Sequence, residues 1–140
     1  MKIIIAEHAG FCFGVKRAVE TAEKILKESG SENLYSFGPL VHNSQVVEKF
    51  NKEGLNVVED IDSISTGKVI VRSHGIPESL QRLIEEKKIE LIDCTCPFVK
   101  SVHNKVSNYY KEGYQIVIIG DKDHPEVIGI NGWCNNAAVI

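Results

Sequence analysis

A chain of 140 residues is the size of one ordinary domain and is long enough to bury a core. Its hydrophobic fraction of 43% and charged fraction of 25% are those of a globular protein, and a net charge of -3 lacks the basic excess that phosphate-backbone binding needs, so no nucleic-acid partner is expected. No apolar run approaches a membrane span, so no membrane partner is expected; the run Ile3 to Ala6, cut short by Glu7 and His8, is too brief for a signal peptide, and the expected compartment is the cytoplasm.

Lys2 to Ala6, rich in isoleucine, reads as a first short strand. Val15 to Glu28 reads as an amphipathic helix, with Val15, Ala18, Val19, Ala22, Ile25 and Leu26 on one face and Gly30 as its stop. Leu34 to Phe37 is a second strand. Asn43 is an N-cap for a helix through Lys52, with Val46, Val47 and Phe50 inward and Gly54 ending it. Leu55 to Val58 is another strand, Asp60 to Gly67 is loop or a turn of helix, and Lys68 to Ser73 is a buried strand. Pro77 suits the first turn of a helix running to about Lys88, with Leu80, Leu83 and Ile84 as its stripe, and Ile89 to Ile92 is the next strand. Pro97 opens a helix to about Glu112, Gln115 to Ile119 is a further strand, Pro125 opens a short helix, and Ala137 to Ile140 is strand-like.

This alternation predicts an α/β fold of three-layer βαβ units with mostly parallel strands. Residues 1–96 form one complete domain, and residues 97–140 form part of a second, similar one. The second holds about two strands, too few for a free-standing sheet, so the chain is expected to stop inside it.

Cys12, His42, His74, Cys96 and His124 each follow a strand-like run and stand close to a helix start. In a parallel sheet the carboxyl ends of the strands open onto one edge, where ligands bind, so these five side chains are expected to converge. Cys12 lies in GFCFG, and Pro97 makes Cys96 an N-cap. Helix N-termini favour thiolates and anions, so the matched pair suits a metal or an iron–sulfur cluster; the alternative is two buried small hydrophobes. Structural disulfides are not expected, and no CxxC pair is present. Cys94 reads as a strand-end core residue and Cys134 as structural, although Cys12, Cys94 and Cys96 with a histidine offer an adventitious zinc set. His42, His74 and His124 together suggest a phosphate or diphosphate pocket; singly, each would be a surface residue or cap. His8 either joins them or covers the first loop, and His103 reads as a helix-face residue. Glu126 is a first-turn carboxylate or, beside such a site, a proton relay. Asp93 and Asp123 read as turn residues, and Lys16 and Arg17 as solvated helix face. No Walker lysine motif and no GxGxxG after the first strand support nucleotide binding.

The segments GFCFGVKRA, LVHN, SHGIP, DCTCPFVKSVH and GDKDHPEVIG resemble, in order and spacing, the LytB/IspH family of 4-hydroxy-3-methylbut-2-enyl diphosphate reductases. The resemblance covers essentially the whole chain. It implies the last step of the non-mevalonate isoprenoid pathway: reductive removal of a hydroxyl from an allylic diphosphate substrate, giving isopentenyl and dimethylallyl diphosphate. It implies a 4Fe-4S cluster held by three cysteines, with Cys12 and Cys96 as two of them and the third beyond residue 140. His42 and His74 would bind the diphosphate, His124 would stand at the substrate, and Glu126 would relay protons. Ferredoxin or flavodoxin is the implied electron donor. Members of the family have about twice this length and three α/β domains, and usually carry alanine where this chain has Cys94. The chain is therefore expected to be the N-terminal part of a reductase and inactive alone. The rival expectations are a metal-free α/β module that captures a phosphorylated ligand, and a folding unit whose cysteines are merely buried.

Overall fold

In the computed structural model, which describes residues 1–28 and 33–140, the apolar stripes of the sequence become five helices: α1 (Phe13–Glu28), α2 (Ser44–Lys52), α3 (Glu78–Glu86), α4 (Pro97–Lys111) and α5 (Pro125–Gly132). Four strands accompany them: β1 (Leu34–Phe37), β2 (Leu55–Val58), β3 (Lys68–Val71) and β4 (Glu90–Asp93). A 3-10 turn spans Ile61–Ser63. Gly30, expected to stop α1, lies outside the described residues.

All four strands pair in parallel, in the order β2-β1-β3-β4. Leu34 stands opposite both Leu55 and Lys68, and Lys68 opposite Glu90. The sequence of β3, Lys-Val-Ile-Val, has no polar face beyond its first residue, and Val69, Ile70 and Val71 are all sealed from solvent. Such a strand needs cover on both sides, as parallel sheets provide. On one face Leu34, Ile70 and Ile92 pack with Ala18 and Ala22 of α1 and Phe50 of α2. On the other, Tyr35, Phe37, Val69, Val71 and Leu91 pack with Ile84 of α3 and with Ile61 and Ile64 of the 3-10 turn. The outcome is the expected three-layer α/β arrangement.

Strand order reverses beside β1. The chain leaves β1 through α2 to reach β2, then returns as β3 on the opposite side of β1 and crosses the other face through α3 to β4. The loops after β1 and β3 therefore diverge and leave a crevice at the carboxyl ends of these strands. Hydrogen bonds prolong the β3–β4 pairing past both strands, from Cys94 N to Val71 O at 3.0 Å and from Cys96 N to Ser73 O at 2.9 Å. This carries Cys96 alongside the turn that bears His74.

Three expected strand-like runs, Lys2 to Ala6, Gln115 to Ile119 and Ala137 to Ile140, do not form strands. Lys2 to Ala6 joins no strand among the described residues, with Ile3, Ile4 and Ile5 at 73%, 77% and 84% exposure. Isoleucine content favours extension, but a strand also needs a ladder partner. Gln115 to Ile119 is reduced to one parallel bridge, Val117 to Val139, framed by Ile118 N to Val139 O at 2.8 Å and Val139 N to Ile116 O at 3.0 Å. The bridge does join the two apolar runs expected to be strands.

Ile70 lies at the centre of this core, whereas Val57 on the edge strand is 37% exposed. Ile70→Ala is expected to lower unfolding free energy by about 2–5 kcal/mol, and Val57→Ala by about 0.5 kcal/mol or less. Urea denaturation of both variants measures the difference; equal midpoints would contradict the placement of β3 at the centre of the sheet.

Candidate functional site at the sheet edge

The two thiols occupy matched positions. Cys12 O accepts the first helical bond of α1, from Lys16 N at 2.9 Å, and Cys96 O accepts that of α4, from Lys100 N at 2.9 Å. Each cysteine thus caps a helix, with Pro97 at the first position of α4. Cys12 is exposed and Cys96 partly buried. The Cys96 sulfur rests against Gly14, two residues after Cys12; a Cβ at Gly14 would come within 2.9 Å of Cys96 Sγ. Glycine at that position therefore lets the two thiol-bearing turns touch.

The turn that carries Cys96 is held by charge-assisted hydrogen bonds. Asp93 accepts from Thr95 N at 2.9 Å and pairs with Lys100, and Arg17 donates to Thr95 O at 2.8 Å. Burial pushes the Asp93 carboxyl up, but the bonds from Lys100 and Thr95 outweigh it and hold the group below the usual aspartate value. Asp93, expected as a turn residue, is the last residue of β4, and its carboxylate braces the turn that follows. Arg17 is not purely solvated, because it reaches across to Thr95, a contact invisible in local sequence, whereas exposed Lys16 stands 3.8 Å from exposed Glu20 on its own helix.

The three histidines meet. The rings of His42 and His74 lie 5.1 Å apart at 71°, and those of His74 and His124 lie 5.7 Å apart at 75°. Their loops differ in kind. His42 precedes Asn43, whose side chain accepts from Val46 N and caps α2 as expected. His74 sits in a turn closed by Gly75 N to Arg72 O at 3.1 Å. His124 itself caps α5, its Nδ1 accepting from Glu126 N at 3.2 Å, which leaves the proton of the neutral ring on Nε2. Glu126 thereby stands in the first turn of α5, two residues from that ring. An open cleft of about 260 Å³ runs from Phe11 and Val15 past Leu40 and Val41 to His42 and His74.

His74 is the central ring, and its buried Nδ1 has no hydrogen-bond partner. Burial, then the charges of Arg72, His42 and His124, push its pKa down to about 4. Arg72, which sequence reading did not single out, packs its guanidinium against Gly38, where a Cβ would lie 3.1 Å from it. Its position at the end of β3, beside a histidine, was the available signal. Together these groups form a positive pocket whose central imidazole is neutral at pH 7, an arrangement suited to an anion with several oxygens.

The remaining sequence candidates divide. Cys94 is a core residue, 2% exposed, its thiol pushed up by burial against a hydrogen bond from Thr21. That withdraws it from the adventitious zinc set. Cys134 is fully buried, with Sγ 3.2 Å from Asn131 O. His8 is exposed in the N-terminal loop, outside the ring contacts. His103 is 3% exposed and stacked on Trp133, not presented to solvent from its helix. No group of three or more His, Cys, Asp or Glu residues is placed to hold a metal ion among the described residues. Cys12 and Cys96, each at the start of a helix and with Gly14 of α1 against the Cys96 sulfur, fit a thiolate-held cluster as part of a ligand set and not as a complete one.

Comparison with known proteins follows the same segments. The family model described as LytB protein matches residues 3–140. A 4-hydroxy-3-methylbut-2-enyl diphosphate reductase of Alkaliphilus oremlandii (strain OhILAs) is 53% identical over 140 residues, covering all of this chain and 50% of the relative. The protein of the same name from Clostridioides difficile (strain 630) is 50% identical over 141 residues, again across 100% of this chain and 50% of the relative. Among solved structures, (E)-4-hydroxy-3-methyl-but-2-enyl diphosphate reductase, the terminal enzyme of the non-mevalonate pathway, superposes with a TM-score of 0.81 at 47% identity, over 98% of this chain and 50% of that one. The E-1-hydroxy-2-methyl-but-2-enyl-4-diphosphate reductase of Plasmodium falciparum gives a TM-score of 0.86 at 37% identity, over 94% and 42%. The chain spans about half the length of the curated relatives it matches.

The depressed His74 value has a signed consequence. The folded chain holds this ring neutral down to about pH 4, whereas the unfolded chain protonates it near 6.5, so its contribution to stability is fully present above 6.5 and is lost as pH falls towards 4. A bound anion reverses part of the shift. Histidine NMR titration should place the His74 midpoint near 4 in the free chain and higher with inorganic pyrophosphate; a midpoint near 6.5 that ignores pyrophosphate would contradict the placement.

Proposed function

The chain belongs to the LytB family, and we propose that it forms the N-terminal part of a 4-hydroxy-3-methylbut-2-enyl diphosphate reductase. The observation that carries this reading is the meeting of three imidazoles, from the loops after β1 and β3 and from the cap of α5, beside the Cys12 and Cys96 turns. Residues 1–96 form the first α/β unit, and residues 97–140 open a second; the parallel bridge of Val117 with Val139, outside the four-stranded sheet, supports that division.

His42 and His74 bind the diphosphate of an allylic substrate, with Arg72 adding positive field. Diphosphate binding fixes the pose, so that the carbon bearing the hydroxyl is presented towards the thiol side of the cleft. Cys12 and Cys96 are two of the thiolates of a 4Fe-4S cluster, whose third cysteine lies outside this sequence. When bound, the cluster supplies Lewis acidity at the substrate hydroxyl and the electrons that break the C–O bond. Two electrons and two protons enter, water leaves, and an allylic or homoallylic diphosphate remains. His124 Nε2–H stands at the substrate, and Glu126, in the turn that His124 caps, relays protons to the departing oxygen. Electrons arrive one at a time from a small ferredoxin or flavodoxin. An oxygen-sensitive cluster and reduced thiols fit the cytoplasm.

A second reading, a metal-free diphosphate-binding module, is favoured by one observation: the three histidines are assembled without help from the thiols. The two readings share a first test. The 140-residue chain should bind inorganic pyrophosphate at one site, and His74→Ala should weaken binding about tenfold or more, the loss of one hydrogen bond to a charged group. Absence of saturable binding by calorimetry would overturn both. Anaerobic iron and sulfide loading separates them, because the reductase reading predicts iron retained through Cys12 and Cys96, in substoichiometric amount and without turnover. No iron dependence on either cysteine would leave the module alone standing.

A further inference from the structure

His103, a helix-face residue by sequence, is buried on that face, its ring 3% exposed. The ring stacks on Trp133, with centroids 5.3 Å apart and planes at 21°. Trp133 ends α5, and its indole Nε1 donates to Ile76 O at 3.0 Å in the turn that follows His74. A continuous contact therefore runs from α4 through the end of α5 to the His74 turn.

Three glycines make room for it. A Cβ at Gly75 would come within 2.5 Å of His103 Cε1. One at Gly132 would lie 2.3 Å from Pro77 Cβ, so α5 meets the turn after β3 almost backbone to backbone. At Gly129 a Cβ would stand 3.4 Å from His74 O and 3.5 Å from His103 Nε2, so the His103 ring and the His74 backbone converge on one point of α5. His103 Nε2 is buried without a hydrogen-bond partner, a desolvation cost that an apolar side chain would avoid.

We propose that His103 is a positioning residue: its ring registers α5 against the His74 turn and so sets where His124 and Glu126 stand relative to His42 and His74. The proposal rests on the reading above for the roles of His124 and Glu126. Since His124 caps α5, any slide or roll of this short helix moves its imidazole directly. The clamp works with a neutral ring. Burial pushes His103 down to about 4, opposed by Asp93 and assisted by Lys100, the two charged groups that face it.

Two variants of the 140-residue chain, His103→Leu and Trp133→Phe, test this; the first removes the stacked ring and the second removes the indole donor to Ile76. The primary readout is the nuclear Overhauser contact between the His74 and His124 imidazole protons, with amide spectra reporting the fold. The second is the inorganic pyrophosphate midpoint. Both variants should keep the fold, lose or weaken the His74–His124 contact, and bind pyrophosphate roughly threefold or more weakly. In His103→Leu the single tryptophan, Trp133, should also shift its emission to longer wavelength. If His103→Leu fails to fold, Trp133→Phe decides alone. An unchanged ring contact in a folded variant overturns the proposal, even where wild-type chain binds pyrophosphate and the functional reading stands. Loss of the contact in a chain that ignores pyrophosphate supports the positioning role while overturning the diphosphate reading.

Discussion

Strand β3 must be covered on both faces, because Val69, Ile70 and Val71 offer no polar side to water. Cover on both faces requires helices above and below, and parallel pairing supplies them through crossovers. Once β3 lies beside β1, with α2 crossing one face and α3 the other, the loops after these two strands must part. The crevice that opens there follows from burying one apolar strand. His42 and His74 stand on those two loops, so the imidazole pair is a consequence of sheet order and not of local sequence.

The thiol side is built from a second constraint, the unpaired amides at helix starts. Cys12 and Cys96 each occupy a capping position, where backbone N–H groups leave positive field for a thiolate or an anion. Gly14 lets the two turns touch, and Asp93, Lys100 and Arg17 fix the backbone on either side of Thr95. His124 uses the same capping position differently. Its Nδ1 takes up the helix amide of Glu126, which orients the ring towards the other histidines with its protonated nitrogen still available. Helix starts thus carry both the two thiols and the His124 imidazole that meets His74.

Much of this was legible because it is local. Asn43, Cys96 and His124 were readable as caps from their neighbours alone, and β1 and β2 fall on the expected residues. The meeting of the three histidines follows from the same rule, since sheet edges gather loop residues whatever their separation in sequence. What was not legible depends on distant partners. Ile3 to Ile5 and Gln115 to Ile119 carry strand composition, but composition does not supply a ladder. Arg17 shares a helix face with solvated lysines, and its bond to Thr95 spans 78 positions. His103 reads as a helix-face residue, and what that face packs against, Trp133 and Gly75, lies far off in sequence. Cys94 and Cys96 would face one side if β4 continued; β4 ends at Asp93 instead, and one thiol enters the core while the other reaches the edge.

The central claim is that the thiols of Cys12 and Cys96, at the caps of α1 and α4, open onto the same edge as the histidines, with Cys94 turned away. A trivalent arsenical that needs two neighbouring thiols reports on this directly. Phenylarsine oxide added to the reduced 140-residue chain, followed by alkylation and peptide mass spectrometry, should yield one arsenical per chain bridging Cys12 and Cys96, and the same titration should shift the His42 and His74 ring resonances. Bridging of Cys94 with Cys96, or capture that leaves Cys12 freely alkylated, would contradict the account.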